Sequence, residues 1–241
     1  MKKIVLIITG ILIAMSSTLA QPAANSSIPM IGDDAPSFTA ESTTGTLNFP
    51  VDYGKKWKIV FAHPADFTPV CTTELLELAE LQDDFDELGV KLVVLSTDAL
   101  ETHNEWKKSM ESLNYKGRTT PKIKFPLVAD QDKQISREYG MIHPSTNSSK
   151  NVRGVYYIDP DNKIRAMVFY PMNIGRNTAE IKRTLVALQT ADSKNVLTPA
   201  DWKPGDDVLV PYTKSSSTDN TKPSDPNIYQ VSWYLTLKKI Q

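Results

Sequence analysis

The chain has 241 residues, 40% of them hydrophobic and 23% charged, a balance that suits one compact domain with a modest appendage. Lys and Arg number 27 against 28 Asp and Glu, for a net charge of -1, which excludes the basic excess of an electrostatic nucleic-acid binder. The charges are scattered rather than blocked, the pattern of a solvated surface.

At the start, Lys2 and Lys3 precede an apolar run from Ile4 to Met15, and small residues follow up to Thr18-Leu19-Ala20. A basic start, a short apolar core and small residues at the end predict a signal peptide over residues 1–20, cleaved after Ala20. The run is shorter than the ~20 apolar residues of a membrane span. Export to a periplasm or out of the cell is therefore expected, with no stable membrane insertion after cleavage; an uncleaved N-terminal anchor is the alternative. Residues 21–31 are small and polar and read as a linker.

The globular pattern begins at Gly32. Trp57–Ala62 and Lys91–Thr97 are apolar runs of strand length, and Phe125–Ala129 is a shorter one. Gly154–Ile158 and Ile164–Tyr170 are two more strands, joined by the turn formers Asp159-Pro160-Asp161-Asn162. Between them, Leu75, Leu78, Leu81, Phe85 and Leu88 recur at helical spacing, with Gly89 as the stop. Further helices are predicted over Leu100–Leu113 and Ile174–Leu188. Strands alternating with helices predict an α/β fold over residues 32–189. After Thr190 the composition shifts. Thr213–Asn227 is rich in Ser, Thr, Asp and Pro and reads as a loop, and Ile228–Ile240 alternates like a single closing strand. Residues 190–241 are expected to form a small C-terminal extension without a large core of its own.

Cys71 is the only cysteine, so no disulfide can form within the chain. A leftover thiol in an exported protein points to reactivity or intermolecular pairing, although a free Cys is often only a small buried hydrophobe. The surroundings favour reactivity. Cys71 lies after a strand and in the first turn of the Leu75–Leu88 helix, where the helix dipole and unpaired backbone N–H groups favour thiolate over thiol. Pro69 fixes the backbone there, and Thr68 places a hydroxyl able to donate to the thiolate or to a substrate oxygen. With one Cys and three His, no metal-ligand spacing is visible and no cofactor is expected. His103 and His143 fall in segments unrelated to this one.

The segment His63-Pro-Ala-Asp-Phe-Thr-Pro-Val-Cys-Thr-Thr-Glu74 holds Pro64, Thr68 and Cys71 at the spacing of the peroxiredoxin active-site signature, and it resembles the 1-Cys subfamily in particular. Gly32-Asp-Asp-Ala-Pro-Ser-Phe38, Arg153, Tyr170-Pro-Met-Asn-Ile-Gly-Arg176 and Pro199-Ala-Asp-Trp-Lys-Pro-Gly205 are similar to further segments of that subfamily. The likeness runs from about Ile31 to Tyr212 and fades after Thr213. It implies a thioredoxin-like fold that brings Arg153 beside Cys71. It also implies a thiol-dependent peroxidase acting on hydrogen peroxide and organic hydroperoxides, with a role in antioxidant defence. The Cys71 thiolate would attack the peroxide and become a sulfenic acid. Arg153, Thr68 and the Cys71 N–H would stabilise the developing charge, Pro64 would limit water, Glu74 would orient Arg153, and His63 would hydrogen-bond near the sulfur. An external thiol must then restore Cys71, and a homodimer or larger homo-oligomer is implied.

Each role has a plainer alternative. Thr68 could serve only to start the helix, Glu74 could be a first-turn carboxylate favoured by the dipole, His63 a structural histidine and Arg153 a surface ion-pair partner. The chain as a whole could be an oligomeric holdase that uses Cys71 as an oxidation sensor. Some 1-Cys relatives also hydrolyse phospholipids through a serine and an upstream histidine. Lys56 and Pro50 occupy those positions here and only the acid, Asp161, remains, so no phospholipase activity is expected.

Overall fold

The computed structural model describes residues 28–146, 148–211 and 225–240. The segment predicted as a signal peptide, most of the predicted linker and most of the Thr213–Asn227 segment lie outside the described residues.

Seven strands form one mixed sheet. In chain order they are β1 (Phe38–Ser42), β2 (Gly45–Phe49), β3 (Trp57–Ala62), β4 (Val90–Ser96), β7 (Leu127–Ala129), β8 (Arg153–Ile158) and β9 (Ile164–Tyr170). The short strands β5 (Asn114–Tyr115) and β6 (Arg118–Thr119) pair with each other elsewhere. The order across the large sheet is β2-β1-β7-β4-β3-β8-β9. β3, β4 and β7 run parallel, and β8 and β9 are added antiparallel.

All six residues of β3 are buried, because both faces of the sheet are covered. Trp57, Ile59 and Phe61 point to one side, where they pack with residues of α1 (Pro69–Glu87), α2 (Leu100–Met110) and α4 (Thr178–Lys194). Val60 and Ala62 point to the other side, toward Phe49 and toward Ile135 of α3 (Gln134–Glu138). This is the period of two that a strand imposes. The sheet and its helices form the expected thioredoxin-like α/β domain.

Helix α1 begins where Pro69 takes the first turn and ends before Gly89, whose φ of 69° suits glycine and ends the helix at low cost. Leu75, Leu78 and Phe85 are fully buried, with Leu81 and Leu88 partly buried beside them. Burial of each leucine stabilises the fold by roughly 1.5–3 kcal/mol.

Three expectations need correction. Helix α4 starts at Thr178 rather than Ile174, because the Asn177 side chain caps it by accepting the Glu180 N–H. The same helix runs to Lys194 and stops at Asn195 in the left-handed conformation, so the boundary drawn at 189/190 falls inside it. The closing strand is two strands, β11 (Ile228–Ser232) and β12 (Leu235–Lys238), which form a hairpin turning at Trp233-Tyr234. Alternation carries no mark of a reversal, and this turn holds no Gly, Pro or Asn to announce one. β12 also pairs with β10 (Val208–Leu209). A small third core of Ala187, Val196, Trp202 and Val208 ties this extension to α4.

Candidate active site

The loop His63–Phe67 leaves the end of β3, and Thr68 turns it into α1. Thr68 has extended backbone, with φ -105° and ψ 146°. Pro69 follows at the one helical position where a missing N–H costs nothing. The first ladder bond runs from the Thr72 N–H to the Thr68 carbonyl, 2.9 Å. The N–H groups of Val70 and Cys71 precede that ladder and supply the positive end of the helix dipole.

Cys71 is completely buried. Burial alone would fit an inert cysteine equally well; what touches the sulfur decides between the readings. Sheet register pairs Phe61 of β3 with Val155 of β8, so Arg153 comes level with His63 at the mouth of the loop. From there the Arg153 Nη1 donates to Cys71 Sγ at 3.2 Å and to Glu74 Oε2 at 2.7 Å. Its Nε and Nη2 donate to the Met172 carbonyl at 2.9 and 2.6 Å. Arg153 is thus a buried, fixed fork and not a surface ion-pair partner.

Glu74 is as buried as Arg153 and is shared with a second guanidinium, that of Arg176. The Arg176 backbone N–H and Nε donate to Glu74 Oε1 at 2.7 and 2.8 Å, and Nη2 donates to Oε2 at 2.7 Å. Its Nη1 donates to the carbonyls of Ala62 and Gly154, and the guanidinium lies 3.3 Å from the centre of the Phe61 ring. Burial pulls Arg176 below its ordinary value, while Glu74 pushes it back up. The ordinary value is so high that the group stays charged. Two buried guanidiniums and one buried carboxylate leave one positive charge uncompensated. A Cys71 thiolate is the group placed to balance it.

Other expected residues sit differently. The Thr68 hydroxyl donates to the Ala65 carbonyl at 2.9 Å, so its single proton is already committed and does not go to the sulfur. Pro64 is buried within the loop. His63 is buried too, but among the described residues neither ring nitrogen meets the geometry of a hydrogen bond, to the sulfur or elsewhere. Its ring lies 5.1 Å from that of Trp106, and Nε2 is 3.6 Å from Asp66 Oδ1. Burial holds His63 well below its ordinary value, so it is neutral. His103, set aside from sequence as unrelated, in fact meets this loop: Nδ1 lies 2.6 Å from Asp66 Oδ2. Helix α2 crosses behind the loop, a proximity that sequence distance hides. His143 stays apart, with its ring 5.5 Å from that of Phe169.

Arg176 is the site residue that sequence reasoning missed. It stood at the end of the Tyr170–Arg176 segment, but nothing local marks it as the partner of a carboxylate 102 residues away. At the far side of the domain, Lys55 Nζ reaches Asp161 Oδ1 at 2.6 Å. Lys56 is exposed and Pro50 buried, and neither carries hydrolytic chemistry.

Residues 31–167 match the model of the AhpC/TSA family, and residues 187–220 match that of the C-terminal domain of 1-Cys peroxiredoxin. The chain is 43% identical to a peroxiredoxin of Methanosarcina mazei over 88% of its own length and 98% of the relative's. It is 41% identical to the 1-Cys peroxiredoxin of Dictyostelium discoideum over 75% of its own length and 73% of the relative's. Among solved structures, it is similar to the yeast mitochondrial 1-Cys peroxiredoxin, with TM-score 0.76 and 36% identity, covering 88% of this chain and 100% of the other. Peroxiredoxin 6 of Arenicola marina matches with TM-score 0.77 at 36% identity, covering 87% and 97%.

Proposed function

The chain belongs to the AhpC/TSA family of peroxiredoxins, and on that premise we propose how its residues divide the work of a single-cysteine peroxidase. The enzyme is a thiol-dependent peroxidase, and its antioxidant role follows from removing peroxide. One observation carries the division of labour: the Arg153 guanidinium donates to Cys71 Sγ and to Glu74 within one buried cluster.

Cys71 acts as the nucleophile. Its thiolate attacks one peroxide oxygen, the O–O bond breaks, and the sulfur gives up two electrons to become a sulfenic acid. The second oxygen leaves as an alkoxide or hydroxide and takes up a proton to become an alcohol or water. Arg153 and the Cys71 N–H stabilise the negative charge that moves onto that oxygen. Thr68 works as an acceptor in this reading: its proton is held by Ala65, and its lone pairs can receive the O–H of a hydroperoxide. Pro64 keeps water from the sulfur. Glu74 positions Arg153, and Arg176 positions Glu74.

The sulfenic acid meets no second cysteine in this chain. An external thiol condenses with it, releasing water and leaving a mixed disulfide, and a second thiol frees Cys71. The thiol of the yeast relative is resolved via glutathione and thioredoxin systems. A small thiol or a dedicated redox protein would do the same here.

Two further readings belong to this proposal. The Lys2–Ala20 segment supports export, and N-terminal sequencing of the exported protein should begin at Gln21; an intact Met1 would oppose cleavage. Strand β9 is an edge of the large sheet; the Gly32–Asp33 segment pairs with Ile164 at its start, and beyond that no strand among the described residues pairs with its outer side, which supports assembly into a homodimer or larger homo-oligomer. Light scattering on the eluting protein should give a multiple of the chain mass, and a monomer would oppose assembly.

The test of the function is peroxide consumption with dithiothreitol as donor. Wild type should turn over, and Cys71→Ser should fall to the background rate. Equal rates would end the reading.

A further inference from the structure

The loop from His63 to Thr68 frames the sulfur, and it is strained. Phe67 has φ 52°, in the left-handed region that a bulky side chain rarely occupies. Such a residue persists only where its surroundings over-determine it. Asp66, next to it, supplies the tether. Its backbone N–H donates to Asp98 Oδ2 at 2.9 Å, and its Oδ2 lies 2.6 Å from His103 Nδ1. Both side chains are buried to 1% exposure or less.

The protons of this contact can be counted. His103 Nε2 is 3.1 Å from the Val128 carbonyl, which can only accept, so Nε2 carries a hydrogen. Nδ1 and Oδ2 must then share one further proton. It sits either on the imidazole, giving an ion pair, or on the carboxyl, giving a neutral hydrogen bond. Without it, a carboxylate would face a nitrogen lone pair at 2.6 Å in a buried site.

We propose that His103 is a positioning residue for peroxide reduction: the proton it shares with Asp66 holds the loop that sets Pro64 and Thr68 around Cys71, and losing that proton as the pH rises loosens the loop and slows the reaction. This rests on the peroxidase reading of the site.

The neighbouring charges do not replace the shared proton. His63 faces Asp66 Oδ1 from within the loop, but it is neutral, held down by burial, His103 and Arg176. Asp98 faces the Asp66 backbone from the end of β4 and is itself paired with Lys150 at 2.9 Å. Burial pushes the Asp66 carboxyl up, and the hydrogen bond from His103 opposes that push.

The experiment measures the second-order rate with hydrogen peroxide against pH for wild type, Asp66→Asn and His103→Leu, each beside its thiolate absorbance. Wild type should lose rate on the alkaline side while its thiolate absorbance stays at its maximum. Asp66→Asn can donate an amide N–H to neutral His103 with no proton to lose, so it should hold its rate through the alkaline range. His103→Leu should lose about tenfold or more at every pH, the scale expected when reacting groups are displaced, with its thiolate absorbance unmoved. An alkaline fall unchanged in Asp66→Asn, no alkaline fall in wild type, or a wild-type profile in His103→Leu would each overturn the inference. If His103→Leu does not fold, the Asp66→Asn profile decides alone. Peroxide turnover by Cys71→Ser at the wild-type rate would instead overturn the peroxidase reading beneath it.

Discussion

Arg153 and Cys71 are 82 residues apart in sequence, and the Arg153 guanidinium stands 3.2 Å from the Cys71 sulfur. The antiparallel pairing of β8 with β3 makes this contact, and Met172 and Glu74 hold the guanidinium in place. Removing the fork should therefore cost more than removing one charge. Arg153→Ala is expected to lower the peroxide rate by about 100-fold, the scale for losing a preorganised donor at developing charge. Arg153→Lys should recover only part of it, because an ammonium lacks the planar fork. Stopped-flow rates with hydrogen peroxide check both, and an unchanged rate in Arg153→Ala would remove it from the site.

Among the described residues, Glu74 is the only carboxylate bonded to the two buried guanidiniums. Glu74→Gln leaves both positive charges in a dry site with one partner lost. Breaking a buried pair in this way costs roughly 3–5 kcal/mol. Denaturant unfolding should show that loss, and the peroxide rate should fall with it as Arg153 is released. Wild-type stability in Glu74→Gln would mean that solvent reaches the cluster.

His63 gives a pH dependence whose sign can be worked out. Its folded value lies well below the ordinary 6.5, so the unfolded chain binds a proton that the folded one refuses. The folded state is therefore penalised progressively as pH falls below about 6.5 toward the folded value. Asp66 acts in the opposite sense at lower pH, because its carboxyl is pushed above the ordinary 3.8. The folded state then binds the extra proton, and that contribution is lost as pH rises through the raised value. Comparing wild type with His63→Phe isolates the histidine. The variant should lose less stability between pH 7 and 5 in thermal unfolding, and parallel curves would contradict the assignment.

Asp161, the one position that still resembles the acid of lipid-hydrolysing relatives, is tied to Lys55 at the surface. With Lys56 and Pro50 in the other positions, phospholipid hydrolysis should be absent, and Asp161→Asn should leave peroxide turnover unchanged. Calcium-independent lipid hydrolysis that disappears in Asp161→Asn would contradict this.

What sequence could reveal here follows the range of each interaction. Pro64, Thr68 and Cys71 lie within one turn and its loop, so their spacing was legible. The core strands were legible as apolar runs, because a strand covered on both faces has no polar side to interrupt it. Strands β1 and β2 carry Thr, Glu, Ser and Asn, a loop-like composition, and they become strands by extending the sheet edge. Arg176 and His103 were not legible as site residues, since their partners Glu74 and Asp66 are 102 and 37 residues away. The Thr68 hydroxyl donates to a different acceptor from the one its place before Cys71 suggests, for a related reason. A hydroxyl chooses among nearby acceptors, and the Ala65 carbonyl three residues back is in reach.

The central claim is that Cys71 takes the oxygen from peroxide and that this chain cannot resolve the product alone. One equivalent of hydrogen peroxide added to the reduced protein, with a sulfenic-acid trap and no added thiol, tests it by mass spectrometry. The account predicts stoichiometric trapping at Cys71 and, in a parallel sample with excess peroxide and no trap, no second turnover until a thiol is supplied. Peroxide consumed with Cys71 still a free thiol would contradict it.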